Sequence, residues 1–305
     1  MALNNPAFNN PAFQDPKAVQ SYPGGAQAGN LGAQTQFATA QQTATDAAAQ
    51  AQLEGMYAAP AAGAVETGRM SYEDTIWKTV GLFAVLLVFA AVGWVWTMAG
   101  VTALNPQPSV LPWVLGALGG FILSMVVIFT SRKKIRPALI FGYAAFEGLF
   151  VGAISAFFEY IYHGIVLQAT LATLAVVGVT LALFASGKIR ASKRATKVFL
   201  IAMVGYLVFS LVNIMLMLFN VPIAGGAFGM LSAKGPFGIP WGILIGVFVV
   251  IMAAYSLVLD FDNIQQGVRN GAPRQYGWLG GFGIMVTVVW LYIEILRILA
   301  IARNN

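Results

Sequence analysis

After its first seventy residues the chain alternates long apolar runs with short polar joints. Seven runs approach the ~20 residues that carry a helix across the hydrocarbon core of a bilayer. They cover residues 76–99, 111–130, 138–158, 165–185, 198–219, 240–259 and 278–302. None shows the every-second-residue alternation of a membrane barrel strand. The pattern therefore predicts an all-α polytopic membrane protein with seven transmembrane helices. Ser71 and Asp74 have the spacing of a capping box at the start of the first helix. Only residues 159–164 separate the third run from the fourth, which predicts an antiparallel hairpin.

Residues 1–70 break the pattern. Asn-Pro-Ala-Phe occurs twice, at 5–8 and 10–13, and a tract rich in Ala, Gln, Thr and Gly follows. With few large apolar side chains and no sustained period, this stretch cannot offset its ordering entropy. It is expected to be a disordered tail ahead of a transmembrane domain over 71–305. It is not expected to be a secretory signal, because no basic flank precedes an apolar core.

Composition agrees with the pattern. Of 305 residues, 58% are hydrophobic and 9% charged, against roughly 25% charged in soluble domains. The chain has no cysteine, which excludes disulfides and thiolate chemistry. Its net charge of +6 is no nucleic-acid signal, because the Lys and Arg residues sit in short loops. Arg132, Lys133, Lys134 and Arg136 lie in the second loop, and Lys188, Arg190, Lys193, Arg194 and Lys197 in the fourth. The sixth has Arg269 and Arg274, whereas the first and third have no Lys or Arg and the fifth only Lys234. The positive-inside rule then predicts a multi-pass membrane protein whose even loops are cytoplasmic. Its N-terminus would be cytoplasmic and its C-terminus outside.

The polar residues inside apolar runs are the candidates for chemistry. The last run carries Glu294 and Arg297, although a charge near mid-helix costs roughly 3 kcal/mol on insertion scales. Gly277, Gly280, Gly281 and Gly283 make its first turns slim, so neighbours could approach closely. Such a helix suits the middle of a bundle, and a peripheral helix with its charges turned inward reads the same way. Glu147 lies in the third run, and Asp260 and Asp262 lie where the sixth meets the cytoplasm. For Asp260 and Asp262 the plain alternative is a solvated helix end. For Glu294 it is a local pair with Arg297, three residues on and on the same face. Carboxylates in a low dielectric favour sharing a proton over repelling each other. A proton-sensitive gate or cation site is the functional reading. Asn213 in the fifth run is expected to hydrogen-bond a neighbouring helix.

Enzyme classes find no support. The single histidine, His163, rules out a His-Glu-x-x-His zinc site. No serine elbow, paired aspartyl-protease motif or Gly-x-x-x-x-Gly-Lys loop occurs. The seventh run lacks a lysine for a retinal Schiff base. The protein is not expected to be an enzyme or to carry a cofactor.

Two segments carry a resemblance. Residues 257–264 read Leu-Val-Leu-Asp-Phe-Asp-Asn-Ile, and residues 291–298 read Leu-Tyr-Ile-Glu-Ile-Leu-Arg-Ile. With seven spans after a variable tail, they resemble the Bax inhibitor family, including its bacterial YccA-like members, over residues 70–305. The resemblance implies six helices around a central seventh and a pH-sensitive calcium leak channel. By motif, Asp260 and Glu294 would be the pH sensor and gate, sharing a proton and meeting Ca2+ in transit. Asp262, Glu147 and Arg297 would tune the path. The final acid is Glu where the calcium-leak members have Asp, and the hairpin between the acids is longer. On a simple hairpin Asp260 and Glu294 fall at different depths, so pairing requires the sixth helix to continue past Asp260 or an offset between the two helices. The partners implied are Ca2+, protons and membrane lipids. The competing reading is a non-transporting regulator that binds another membrane protein, such as a quality-control protease.

Overall fold

The computed structural model describes residues 68–102, 106–219, 228–235 and 238–304. Apart from Gly68–Met70, the expected disordered tail lies outside the described residues. Seven helices long and apolar enough to cross a membrane follow one another. They are α1 (Tyr72–Met98), α2 (Leu111–Ser131), α3 (Pro137–Ile161), α4 (Ile165–Ala185), α5 (Lys193–Leu218), α6 (Trp241–Arg269) and α7 (Tyr276–Arg303). No strand occurs among the described residues, and a 3-10 turn, Gly229–Ser232, precedes α6.

Local chemistry sets the helix starts. Ser71 Oγ accepts from the Asp74 amide at 3.2 Å, as the capping spacing predicts. Pro137 opens α3, where its missing N–H costs nothing. Two boundaries differ from hydropathy. α5 begins at Lys193, five residues early, because Ser192 caps it by accepting from the Ala195 amide at 3.2 Å. α6 runs ten residues past Leu259, to Arg269. Its extension buries Asp260, Asn263, Ile264 and Gly267 on one helical face, so the amphipathic period continues after the apolar run ends.

The helix at the centre is α7. It has the largest share of its apolar window buried, 56%, against 50% for α3 and α6 and 6% for α5. It packs on α1, α3, α4 and α6, and side chains link it to α5, whereas α2 lies chiefly on α3 and lightly on α1. Lipid is as apolar as leucine, so hydrophobic burial does not hold these helices together, and close packing must. The α1–α3 seam is the tightest example. A methyl group at Gly148 would collide with the Leu86 backbone and one at Gly152 with the Ala90 carbonyl.

The basic connections gather at one end. There Met70, Ile135 and Tyr276 share one buried cluster. Met70 N donates to Ala272 O at 2.7 Å, and Arg274 N to Gly68 O at 2.8 Å. Asp74 pairs with Lys78 at 2.5 Å and with Arg274 at 2.8 Å. The segment preceding α1 is thereby fastened over the α6–α7 turn. At the other end Glu159 accepts from the Gly164 and Val166 amides, at 2.5 and 3.0 Å, and caps α4 within the predicted hairpin.

Candidate functional site

Asp260 and Glu294 are 1% and 3% exposed. Both lie on the α6–α7 pair at the centre of the bundle. Asp260 is therefore no solvated helix end. Because α6 continues for nine residues beyond it, its carboxylate faces α7, where Thr287 Oγ1 donates to Oδ2 at 2.5 Å. Asn263, one turn along the same face, is 3% exposed, and its amide nitrogen has no hydrogen-bond partner. An orphaned buried donor costs on the order of 1–3 kcal/mol.

Glu294 sits two turns beyond Thr287 on the same face of α7, about 10 Å along the axis. The pairing with Arg297 expected from their spacing is present, with Arg297 Nη2 on Glu294 Oε1. Tyr206 of α5 completes the group. Its hydroxyl donates to Glu294 Oε2 at 3.0 Å and accepts from Arg297 Nη1. The guanidinium also lies over the Tyr206 ring, 5.6 Å from the centroid. Gly246 of α6 stands beside this group and makes room for Ile298 of α7. A methyl group there would stand 3.7 Å from Glu294 Oε1 and would press on Ile298.

The two principal acids therefore meet their named partners at different depths. Asp260 faces a hydroxyl of α7, and Glu294 faces the Arg297–Tyr206 couple. Among the described residues no three acids or histidines gather into a metal-holding group. Asp262, two positions from Asp260, points to another side of α6 and accepts from Gln266 Nε2 at 2.7 Å. Glu147 lies in the α2–α3 seam, with Tyr143 one turn back as its hydrogen-bond partner. A methyl group at Gly120 would come 2.9 Å from its Oε2. Asn213 holds the turn before α6 and not a second long helix: it donates to Phe228 O at 3.2 Å and accepts from Met230 N at 2.9 Å.

Three members of the site escaped the sequence reading. Thr287 stands seven residues before Glu294, the two-turn spacing that puts both on one face. Tyr206 is a tyrosine in mid-span, whereas tyrosines of membrane helices collect at the interface. Gly246 gives no chemical signal, since its role is an absent side chain.

Seven spanning helices with carboxylates buried on the central pair define a multi-pass α-helical membrane protein with an internal polar site. The family described as Bax inhibitor 1 like matches the chain over residues 5–304. The chain belongs to that family. No curated protein and no solved structure matches it.

Proposed function

We propose that the protein is a pH-sensitive leak for Ca2+ or a similar cation, gated by protonation of Asp260 and Glu294. The observation that carries this reading is the pair of carboxylates, 1% and 3% exposed, on the two central helices. A cation crossing the hydrocarbon core meets the same cost as any buried charge, and a fixed carboxylate offsets it. Glu294 is faced by Arg297 on its own helix and Tyr206 on α5, and it lies near Gly246 of α6. A proton on Glu294 would leave Arg297 without its counter-charge, and the link to α5 would weaken. Asp262 and Glu147 would tune the path from the α6 end and the α2–α3 seam. Loop charge supports a cytoplasmic N-terminus and an external C-terminus, and the resemblance to bacterial family members a plasma (inner) membrane. No catalytic step enters this reading.

The test is Ca2+ flux into liposomes holding the purified protein, between about pH 5 and 8. The parent should respond to pH, and Asp260→Asn and Glu294→Gln should blunt the response. No flux above empty liposomes would refute the leak. It would favour the regulator of another membrane protein, a reading supported by α5, whose apolar window is only 6% buried.

A further inference from the structure

α1 and α4 both pack towards α7 but hardly against each other. The space between them is a groove in two chambers of about 710 and 660 Å³, which meet at Phe83 and Leu87. Along α1 the chambers run from Tyr72 to Val95, roughly 35 Å at the rise of a helix. That is about the thickness of the hydrocarbon core. Each chamber therefore occupies about one leaflet.

The lining is mostly hydrocarbon, and several of its polar side chains bond within the protein. Thr75 and Thr79 donate back to backbone carbonyls at 2.8 Å each. In the other chamber Thr173 does the same at 2.7 Å, and Ser155 and Tyr292 bond each other at 2.6 Å. The chamber at the basic end differs at its rim. There Phe184 forms part of the wall, and the Arg190 guanidinium lies 4.4 Å from its ring centroid. Arg190 is exposed and makes no ion pair among the described residues; its Nη1 donates to Gln265 Oε1 at 3.0 Å. Lys188 adds a second exposed cation two residues away.

We infer that this chamber is a binding site for one anionic phospholipid. An acyl chain lies between α1 and α4, and the phosphate meets Arg190 and Lys188. A leaflet-deep apolar slot ending at unneutralised cations matches an acyl chain ending at an anionic headgroup. The rim cations distinguish such a lipid from a zwitterionic one.

The test is native mass spectrometry of the full chain in detergent, titrated with phosphatidylglycerol or phosphatidylcholine of identical chains. Phosphatidylglycerol should bind about fivefold more tightly per engaged basic residue, the usual attraction of one Lys or Arg for anionic lipid. Arg190→Gln should remove about that factor and leave phosphatidylcholine unchanged. Ala84→Trp, which fills the chamber from α1, should cut binding of both lipids about tenfold. Phosphatidylglycerol carrying a diazirine in its chain should crosslink the parent within residues 72–87, a readout that needs no variant. Equal affinities for the two lipids, or an Arg190→Gln preference equal to the parent's, would overturn the headgroup assignment. Crosslinks confined to residues outside the chamber's lining, or a dimer that expels lipid from the groove, would overturn the site.

Discussion

Replacing Glu294 with Gln tests whether the Arg297 pair is as buried as its surroundings imply. The Glu294 side chain is 4% exposed and that of Arg297 17%. Gln keeps one acceptor oxygen where Glu294 offers two, one to Arg297 and one to Tyr206, and it removes the negative charge. The guanidinium cannot shed its proton, so a positive charge stays in the bundle with one hydroxyl and one aromatic face around it. Arg297 Nε already lacks a partner. Breaking a buried pair from one side costs about 3–5 kcal/mol. The residual exposure of Arg297 argues for the lower end, about 3 kcal/mol. The reverse change, Arg297→Met, should cost less, because a stranded Glu294 can take up a proton. The double variant should then lose less than the sum of the two, since neither charge is left alone. Equilibrium unfolding in mixed micelles, run as a double-mutant cycle, measures all three terms. A loss below about 1 kcal/mol for Glu294→Gln, with additive behaviour, is what a solvated surface pair gives. That result would refute the buried pair.

Two further changes probe the packing on either side. Thr287→Val removes the hydroxyl that donates to Asp260 and should cost roughly 1–3 kcal/mol. Thr287→Ser should retain most of that stability in the same unfolding assay, and equal losses for Val and Ser would assign the effect to packing. Gly152→Leu should force α1 from α3, at a cost of about 1–3 kcal/mol or more. Its signature is faster amide exchange in both helices, and unchanged exchange would mean that the seam is looser than the structure has it.

The helices were legible because each needs about twenty apolar residues, and apolar residues are what hydropathy reads. Their ends were less so. The basic turn at Lys193 belongs to α5 because of a single hydroxyl, that of Ser192. The ten residues after Leu259, six of them polar, stay helical because one face keeps its burial period. Hydropathy cannot see either cause. The acids were legible as anomalies, and the Glu294–Arg297 contact followed from spacing on one helix. Their other partners did not. Thr287 and Tyr206 come from other parts of the chain, and only the register of α7 against α6 and α5 brings them to the acids. Gly246 was beyond reach, because space left by a missing side chain is known only once the neighbour is placed.

The centrality of α7 has a cause beyond its length. In lipid a helix gains little by burying leucine against leucine, so neighbours must be chosen by polar or close-packed contacts. α7 offers a different one to each of five helices. Trp278 receives Lys78 of α1, whose Nζ is 5.3 Å from the ring centroid. Tyr292 bonds Ser155 of α3 at 2.6 Å. Arg303 donates to Gln168 of α4 at 3.0 Å, Thr287 to Asp260 of α6 at 2.5 Å. Glu294 and Arg297 together hold Tyr206 of α5. Only the last two links contain a carboxylate. Under the proposed leak, protonation of these acids therefore acts on the attachments of α6 and α5. Of that pair α5 is the looser, because Asn213 is its one buried residue among the described residues. Under the proposed leak, α5 is accordingly the helix on which protonation has most leverage, and Tyr206 is the point through which it is exerted.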